Sequence, residues 1–342
     1  MKQHLLSIND LSREEIGSVL DTARFDFLDL SKREIKKVPT LRGRTVINLF
    51  YEKSTRTSTS FELAGKRLSA DVINVKADSS ATGKGESLKD TVLTLGAYRP
   101  DIIVIRHPHV GAAAFVARYV VAGAHVINAG DGKGEHPTQS LLDIFSLQQE
   151  FGEDLAGLRV AIVGDILHSR VARSNIIGFQ KMGMEVKLVA PPALLPRGVE
   201  ALGAEARHGL DALADVDVIY LLRTQSERHE RANYLPSLRE YISRYQVGLR
   251  HLSGGQKVLH PGPINRGVEI SAELADSGEH LILQQVEAGL AVRMAVMYRI
   301  IVDSAAAAAD EAAAGDSRAG ARAAEGEEAA GKAKIKNIRA VG

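Results

Sequence analysis

Thr45-Val46-Ile47-Asn48-Leu49-Phe50-Tyr51 runs straight into Glu52-Lys53-Ser54-Thr55-Arg56-Thr57-Ser58-Thr59-Ser60-Phe61-Glu62. The first half is an apolar run of strand length; the second packs hydroxyls around one guanidinium where a strand hands over to a helix. A helix start leaves backbone N–H groups without partners at the positive end of a dipole, so it attracts an anion. Ser and Thr hydroxyls add donors, and Arg56 adds a planar fork that matches two phosphate oxygens. A dianionic phosphate is the first ligand these residues suggest.

The same handover recurs along the chain. Apolar runs at Asp71 to Val75, Asp101 to Ile105, Ala124 to Asn128, Arg159 to Val163, Glu185 to Ala190, Val216 to Leu222 and Lys257 to Leu259 read as parallel strands buried on both faces. Helical patterns lie between them, at Thr138 to Phe151 and Ser169 to Met182, and Ser12-Arg13-Glu14-Glu15 has the capping-box form that opens a helix through about Arg24. The reading is α/β, with two doubly wound domains around central parallel sheets. Gly, Asp and Glu interrupt the pattern between Gly152 and Leu158, which places the first domain at 1–151 and the second at 152–283. Val286, Leu290, Met294, Met297 and Ile301 recur at helical spacing, so a helix over 284–304 is expected to cross back and join the first domain. Residues 305–342 are Ala-, Glu-, Lys- and Gly-rich without a sustained apolar face, and are expected to be a disordered tail.

Bulk composition excludes more than it assigns. The 342 residues suffice for two domains, and 45% hydrophobic with 25% charged residues is ordinary globular usage. A formal net charge of +1 offers no broad attraction to nucleic acid or anionic lipid. No run has the length of a membrane span, and Met1-Lys2-Gln3-His4-Leu5-Leu6 lacks a signal peptide's apolar core. With 0 cysteines there are no disulfides, thiolate nucleophiles or Cys-held metals, which fits a reducing cytoplasm. The histidines form no ligand cluster, and His107 with His109 resembles a metal pair only superficially, so no protein-bound metal is expected. Gly-x-Gly-x-x-Gly and Gly-x-x-x-x-Gly-Lys-Ser/Thr are both absent, which argues against NAD, FAD and ATP; no cofactor is expected.

Polar motifs sit where strands end. Glu52 to Thr57 follows the first strand, Arg106-His107-Pro108 another, and Gly130-Asp131-Gly132 leads to His136-Pro137-Thr138-Gln139. In the second half, Gly164 to Arg170, Arg223-Thr224-Gln225 and His260-Pro261-Gly262-Pro263 take the same position. Ligands of open α/β sheets bind outside the carboxyl ends of the strands, so six such ends describe an active site in the interdomain cleft, built to hold anions. Taken singly, Ser54 to Ser60 is an ordinary capped helix start, His136 an interior histidine, Arg170 and Arg223 surface ion-pair residues, and Lys84 a solvated lysine. The ordered set favours a ligand.

From about Leu5 to Val302 these motifs, in this order and spacing, resemble the aspartate/ornithine carbamoyltransferase family, its aspartate branch most closely. The resemblance implies transfer of the carbamoyl group of carbamoyl phosphate to the α-amine of L-aspartate, with the donor held in the first domain and the acceptor in the second. By the family's pattern Ser54, Thr55, Arg56 and Thr57 are the phosphate-binding loop, and Arg106 contacts phosphate and carbonyl. His136 donates to the carbamoyl oxygen, while Gln139 and the carbonyls of Pro261 and Gly262 hold the carbamoyl NH2. Arg170, Arg223 and Gln225 hold the aspartate carboxylates. Ser80 and Lys84 match a loop that reaches a neighbouring subunit's site, and Glu52 and Arg228 match groups that, with Arg170, tie the domains together on closure. The family further implies a homotrimer with shared sites, and leaves open a larger assembly with regulatory or dihydroorotase chains. One departure is Ser58, where members commonly carry a second arginine. Position 262 also varies, and a backbone carbonyl there is expected to serve whatever the side chain.

The implied reaction explains the residue types. As the amine attacks, charge builds on the carbonyl oxygen, where Arg106, His136 and Thr57 converge; losing one such donor costs about 3–4 kcal/mol of barrier. Arg56 and Lys84 neutralise the departing phosphate. An ornithine-specific enzyme would need an acidic second pocket, and its branch typically carries a Cys-containing last motif. A non-catalytic phosphate-binding homologue would be expected to lose Arg56, Arg106 or His136, and all three are present.

Overall fold

Strands that are apolar on both faces need helices above and below, and the connections between the runs supply them. The computed structural model describes residues 3–76, 85–224, 237–307 and 309. After α1 (Arg13–Thr22), the first sheet is built from β1 (Thr45–Phe50), β2 (Asp71–Lys76), β3 (Ile102–His107) and β4 (His125–Asp131), all parallel, in the order β2-β1-β3-β4. The helices α2 (Thr55–Arg67), α3 (Leu88–Gly96), α4 (Ala112–Tyr119) and α5 (Pro137–Phe151) accompany it. The second sheet holds β5 (Arg159–Val163), β6 (Glu185–Val189), β7 (Glu205–Arg207), β8 (Val218–Leu221) and β9 (Lys257–Leu259), again parallel, in the order β7-β6-β5-β8-β9. With it go α6 (Arg170–Lys181), α7 (Leu238–Tyr245) and α8 (Ala272–Ala275), and a final helix α9 runs over 282–307. Both sheets lie within one compact unit, Met1–Ile300.

Each sheet is doubly wound, so each has a switch point where successive crossovers leave in opposite directions. In the first sheet it falls between β1 and β3, where Phe50 pairs with Arg106. In the second it falls between β5 and β8, just before Gly164 and Leu222. These two points position the site.

Several boundaries differ from the sequence reading. β3 runs through His107 and β4 through Asp131, because every β4 side chain is buried and Asp131 pairs with His107 across an irregularity in the ladder. β7 was not expected: it is a three-residue edge strand with no apolar run to announce it. Leu5 adds a bridge beside β4, exchanging bonds of 2.9 Å with Val126 and Asn128. The capping box at Ser12 is present, with Ser12 N–H donating to Glu15 Oε2 at 2.9 Å, but the α-helix gives way to a π-helical turn at Ala23–Phe27.

The last helix meets the helices of the first sheet. Arg293 Nη1 donates to Ser60 Oγ at 2.8 Å with its guanidinium over the Phe61 ring, and Tyr298 meets Phe27 edge-on at 6.0 Å. Met294 and Met297 are fully buried as the periodicity requires, whereas Val286 is 54% exposed: the apolar stripe begins a turn later than the spacing suggested. Helix continues through 307, into the stretch expected to be disordered; of the remaining tail only residue 309 is described. No helix among the described residues is long and apolar enough to cross a membrane.

Candidate active site

The opening stretch folds as its residue types dictate. β1 ends at Phe50, and α2 begins after Ser54, which stands at the N-cap with φ −157° and makes no side-chain cap bond. Thr57 is buried in the first turn and Arg56 is exposed beside it. Ser58, at the site of the family's second arginine, is half-buried and donates its N–H to Ser54 O at 3.0 Å. The Arg56 guanidinium lies against Gly262, whose φ is +65° and where an added Cβ would come within 2.8 Å of Arg56 Cζ. A side chain at 262 would need the flexible end of Arg56 to shift and would sit on a left-handed backbone that glycine adopts freely.

Three further charges meet at the strand ends. Glu52 Oε2 accepts from Arg170 Nη2 at 2.5 Å and lies 3.3 Å from Arg106 Nε, while Arg106 Nη1 donates to Ala129 O at 3.1 Å. One carboxylate from the first sheet thus lies between an arginine of its own sheet and one at the start of α6. Gly130 makes room for this: at φ +117° its missing Cβ would fall 2.9 Å from Arg170 Nε. Gly130 stood in a strand-end motif of the sequence, but its closeness to Arg170 and the Arg106–Glu52 contact were not foreseen.

His136 caps the start of α5 in backbone only, and its N–H donates to Ser174 Oγ of α6 at 2.9 Å. Ser174 in turn donates to Glu135 Oε2 at 3.0 Å, which ties α6 to the turn that carries His136. Burial first, then the charges of Arg106, Arg293 and Arg170, hold the imidazole well below its usual pKa, so it is neutral near pH 7. Its Nδ1 is buried and has no hydrogen-bond partner among the described residues. His107 Nδ1 instead accepts the His109 N–H at 3.0 Å, so that ring nitrogen is engaged within its own turn.

The last motif is held by His260. Its Nδ1 accepts the Gly262 N–H at 2.8 Å, which leaves Nε2 as the donor to Glu269 Oε1 at 3.1 Å. The buried ring therefore sets the turn that presents the Pro261 and Gly262 carbonyls. Ser54, Thr55, Arg56, Thr57, Arg106, His136, Gln139, Arg170, Arg223, Pro261, Gly262 and Glu52 all line one cavity of about 730 Å³. Ser80, Lys84, Gln225 and Arg228 lie outside the described residues.

Sequence reasoning missed the layer behind this cavity. Asp143, Asn175, Tyr220 and Gln285 form a buried hydrogen-bonded group, and Arg293 reaches Ser60 from α9. The signal was present: Asp143 and Arg293 are charges inside otherwise apolar helical runs, where an uncompensated ion would be costly.

Comparison with known proteins agrees with this geometry. Residues 3–149 match the aspartate/ornithine carbamoyltransferase carbamoyl-P binding domain, and 156–300 the Asp/Orn binding domain. An aspartate carbamoyltransferase catalytic subunit from Magnetococcus marinus is 53% identical over 314 residues, covering 89% of this chain and 94% of the relative. Its counterpart from Geobacter sulfurreducens is 52% identical, covering 86% and 95%. Among solved structures, aspartate transcarbamoylase from Trypanosoma cruzi in complex with N-(phosphonacetyl)-L-aspartic acid superposes with a TM-score of 0.78 at 31% identity, covering 86% of this chain and 94% of that one. The catalytic subunit of M. jannaschii aspartate transcarbamoylase gives 0.77 at 34%, covering 88% and 99%. The chain belongs to the aspartate/ornithine carbamoyltransferase family.

Proposed function

We propose that this chain transfers the carbamoyl group of carbamoyl phosphate to the α-amine of L-aspartate, giving N-carbamoyl-L-aspartate and phosphate in pyrimidine biosynthesis. One observation carries the reading: the hydroxyl-rich start of α2, four arginines, a neutral histidine and an amide from both sheets line a single cavity. A T. cruzi relative has been solved with carbamoyl phosphate and another with N-(phosphonacetyl)-L-aspartic acid, which supports both halves of the assignment.

Ser54, Thr55, Arg56 and Thr57 bind the phosphate, with Ser80 and Lys84 reaching in from a neighbouring subunit. Arg106, Thr57 and His136 converge on the carbonyl oxygen as the amine attacks carbon; neutral His136 donates an N–H there without adding charge. Gln139, Pro261 and Gly262 accept from the carbamoyl NH2. Arg170, Arg223 and Gln225, with Lys84, hold the aspartate carboxylates, and Glu52 with Arg228 and Arg170 secures closure. The phosphate oxygens take the amine proton as the C–O bond breaks, so no protein nucleophile is needed. Alignment of two bound substrates supplies on the order of 7–11 kcal/mol. In this reading 1–151 with the helix 284–304 is the carbamoyl-phosphate domain and 152–283 the aspartate domain. In this reading the protein works as a cytoplasmic homotrimer, as the family pattern implies.

The test is product analysis with carbamoyl phosphate and either aspartate or ornithine, alongside calorimetric titration with N-(phosphonacetyl)-L-aspartic acid. Carbamoyl aspartate without citrulline, and one tight site per chain, is the expected result. Citrulline alone would overturn the branch. Mixed Lys84→Ala and Arg56→Ala proteins, allowed to exchange subunits, should regain activity if sites are shared.

A further inference from the structure

Behind the cavity, Asp143 is fully buried on α5, four residues after Gln139. Its Oδ1 accepts from Gln139 Nε2 at 3.0 Å and Gln285 Nε2 at 2.7 Å. Its Oδ2 accepts from Asn175 Nδ2 at 2.9 Å and the Tyr220 hydroxyl at 2.6 Å. The four donors come from α5, α9, α6 and β8, so both sheets' elements meet on one carboxyl group. Burial outweighs the downward pull of the four donors and leaves that carboxyl raised to about 6, so it is mostly ionised at pH 7. A carboxylate only accepts, and this decides which way each neighbouring amide is turned. Gln139 must direct its NH2 inward to Asp143, which leaves Oε1 as its acceptor on the other side. Gln285 must do the same; its Oε1 then accepts the His260 N–H at 2.9 Å, and His260 fixes Gly262 at 2.8 Å. Gln139 and the Pro261-Gly262 turn, which line the cavity together, are therefore registered on the same carboxylate.

Resting on the carbamoyl-transfer reading above, we propose that Asp143 is a positioning and specificity residue. By fixing the polarity of the Gln139 amide it makes this corner of the cavity all-acceptor, and so selects a donor substrate whose acyl group carries N–H. An acetyl group has nearly the same shape as a carbamoyl group but puts a methyl where the NH2 would be, leaving those acceptors without partners. Sites built to hydrogen-bond a substrate group reject the analogue lacking it.

The experiment compares kcat/KM for carbamoyl phosphate and acetyl phosphate at saturating aspartate. In D143A the Gln139 amide is free to turn over, and the preference for carbamoyl phosphate should fall roughly tenfold or more, through a raised KM rather than a changed kcat. D143N should restore the preference. Asparagine keeps an oxygen toward Gln139 and Gln285, and its NH2 can meet Asn175 Oδ1, which is buried without a hydrogen-bond partner among the described residues. An unchanged preference in folded D143A, or a D143N protein no better than D143A, overturns the proposal. Should D143A not fold, neutron diffraction from deuterated wild-type crystals decides: Gln139 deuterons facing Asp143 support the assignment, and deuterons facing the cleft refute it. Wild-type protein that makes no carbamoyl aspartate refutes the carbamoyl-transfer reading instead, and this proposal with it.

Discussion

Two helices open on the cleft behind a serine, and the serine does different work in each. Ser169 closes the first turn of α6, its hydroxyl accepting the Ala172 N–H at 3.1 Å. Ser12, Ser87, Ser237 and Ser271 cap their helices in the same way. Ser54 holds the same position before α2 and makes no such bond. The arginines differ in parallel. Arg170, first in α6, is buried and bonded to Glu52, while Arg56, second in α2, is exposed. α6 is thus a self-completed helix that carries one fixed cation. The start of α2 leaves its hydroxyls, N–H groups and guanidinium uncommitted to its own structure, as an anion site requires.

The largest test of that contrast is Arg56→Ala. If Arg56 serves a ligand and not the fold, kcat/KM for carbamoyl phosphate should fall roughly a thousandfold while the melting temperature stays put. A melting loss comparable to that of Arg170→Ala, which removes one of the two arginines on the half-buried Glu52, would place Arg56 with the structural residues. Gly262→Ala probes the same guanidinium without removing it. A Cβ within 2.8 Å of Arg56 Cζ, on a backbone at φ +65°, has to push one of the two aside. A displacement on the order of 1 Å can cost ~100-fold in rate. Steady-state kinetics at full substrate saturation should show it, and wild-type rates in G262A would mean the fork has other productive positions.

What was legible in the sequence divides along the same line. Residue types and their order at strand ends drew out Ser54 to Thr57, Arg106, His136 and Arg170, and the fold brings them to one cavity. Both sheets could be read as well, because Val/Ile/Leu runs buried on two faces leave a strong pattern. β7 could not, since an edge strand of Glu205–Arg207 buries little and shows no apolar periodicity. Asp143 showed only as a charge in an apolar helical run; its partners, and the closeness of Gly262 to Arg56, did not show. Those depend on side chains far apart in the chain meeting at 3 Å or less, such as Gln285 with Asp143 at 2.7 Å, and residue type alone does not specify the partner.

A paired substitution sharpens the contrast at smaller scale. Ser169→Ala removes a cap and should cost about 1 kcal/mol of stability, a few degrees in a thermal melt, with a modest effect on rate. Ser54→Ala should leave the melt alone and weaken carbamoyl phosphate about tenfold, the worth of one hydrogen bond to a charged group. If the two variants traded phenotypes, the distinction between the helices would be lost.

The subtlest test concerns α5, whose N-cap is His136 and which, like α2, lacks a side-chain cap. If this start also serves a ligand, His136 should be a neutral donor throughout the working range. Its pKa is lowered by burial first and then by Arg106, Arg293 and Arg170, so the proton is already lost well below pH 6.5 and raising the pH further removes nothing. In protein labelled at the histidine rings, the resonance absent from His136→Ala should hold the neutral-imidazole shift from about pH 6 to 8, where a free histidine would titrate. Removing the Arg106 charge should move that titration upward, because a cation that disfavours the imidazolium has gone. A His136 midpoint near 6.5 in the wild type would mean that a substantial fraction carries a proton at working pH. The carbonyl oxygen would then face an imidazolium, and the start of α5 would belong with the charged, structural start of α6 instead of with α2.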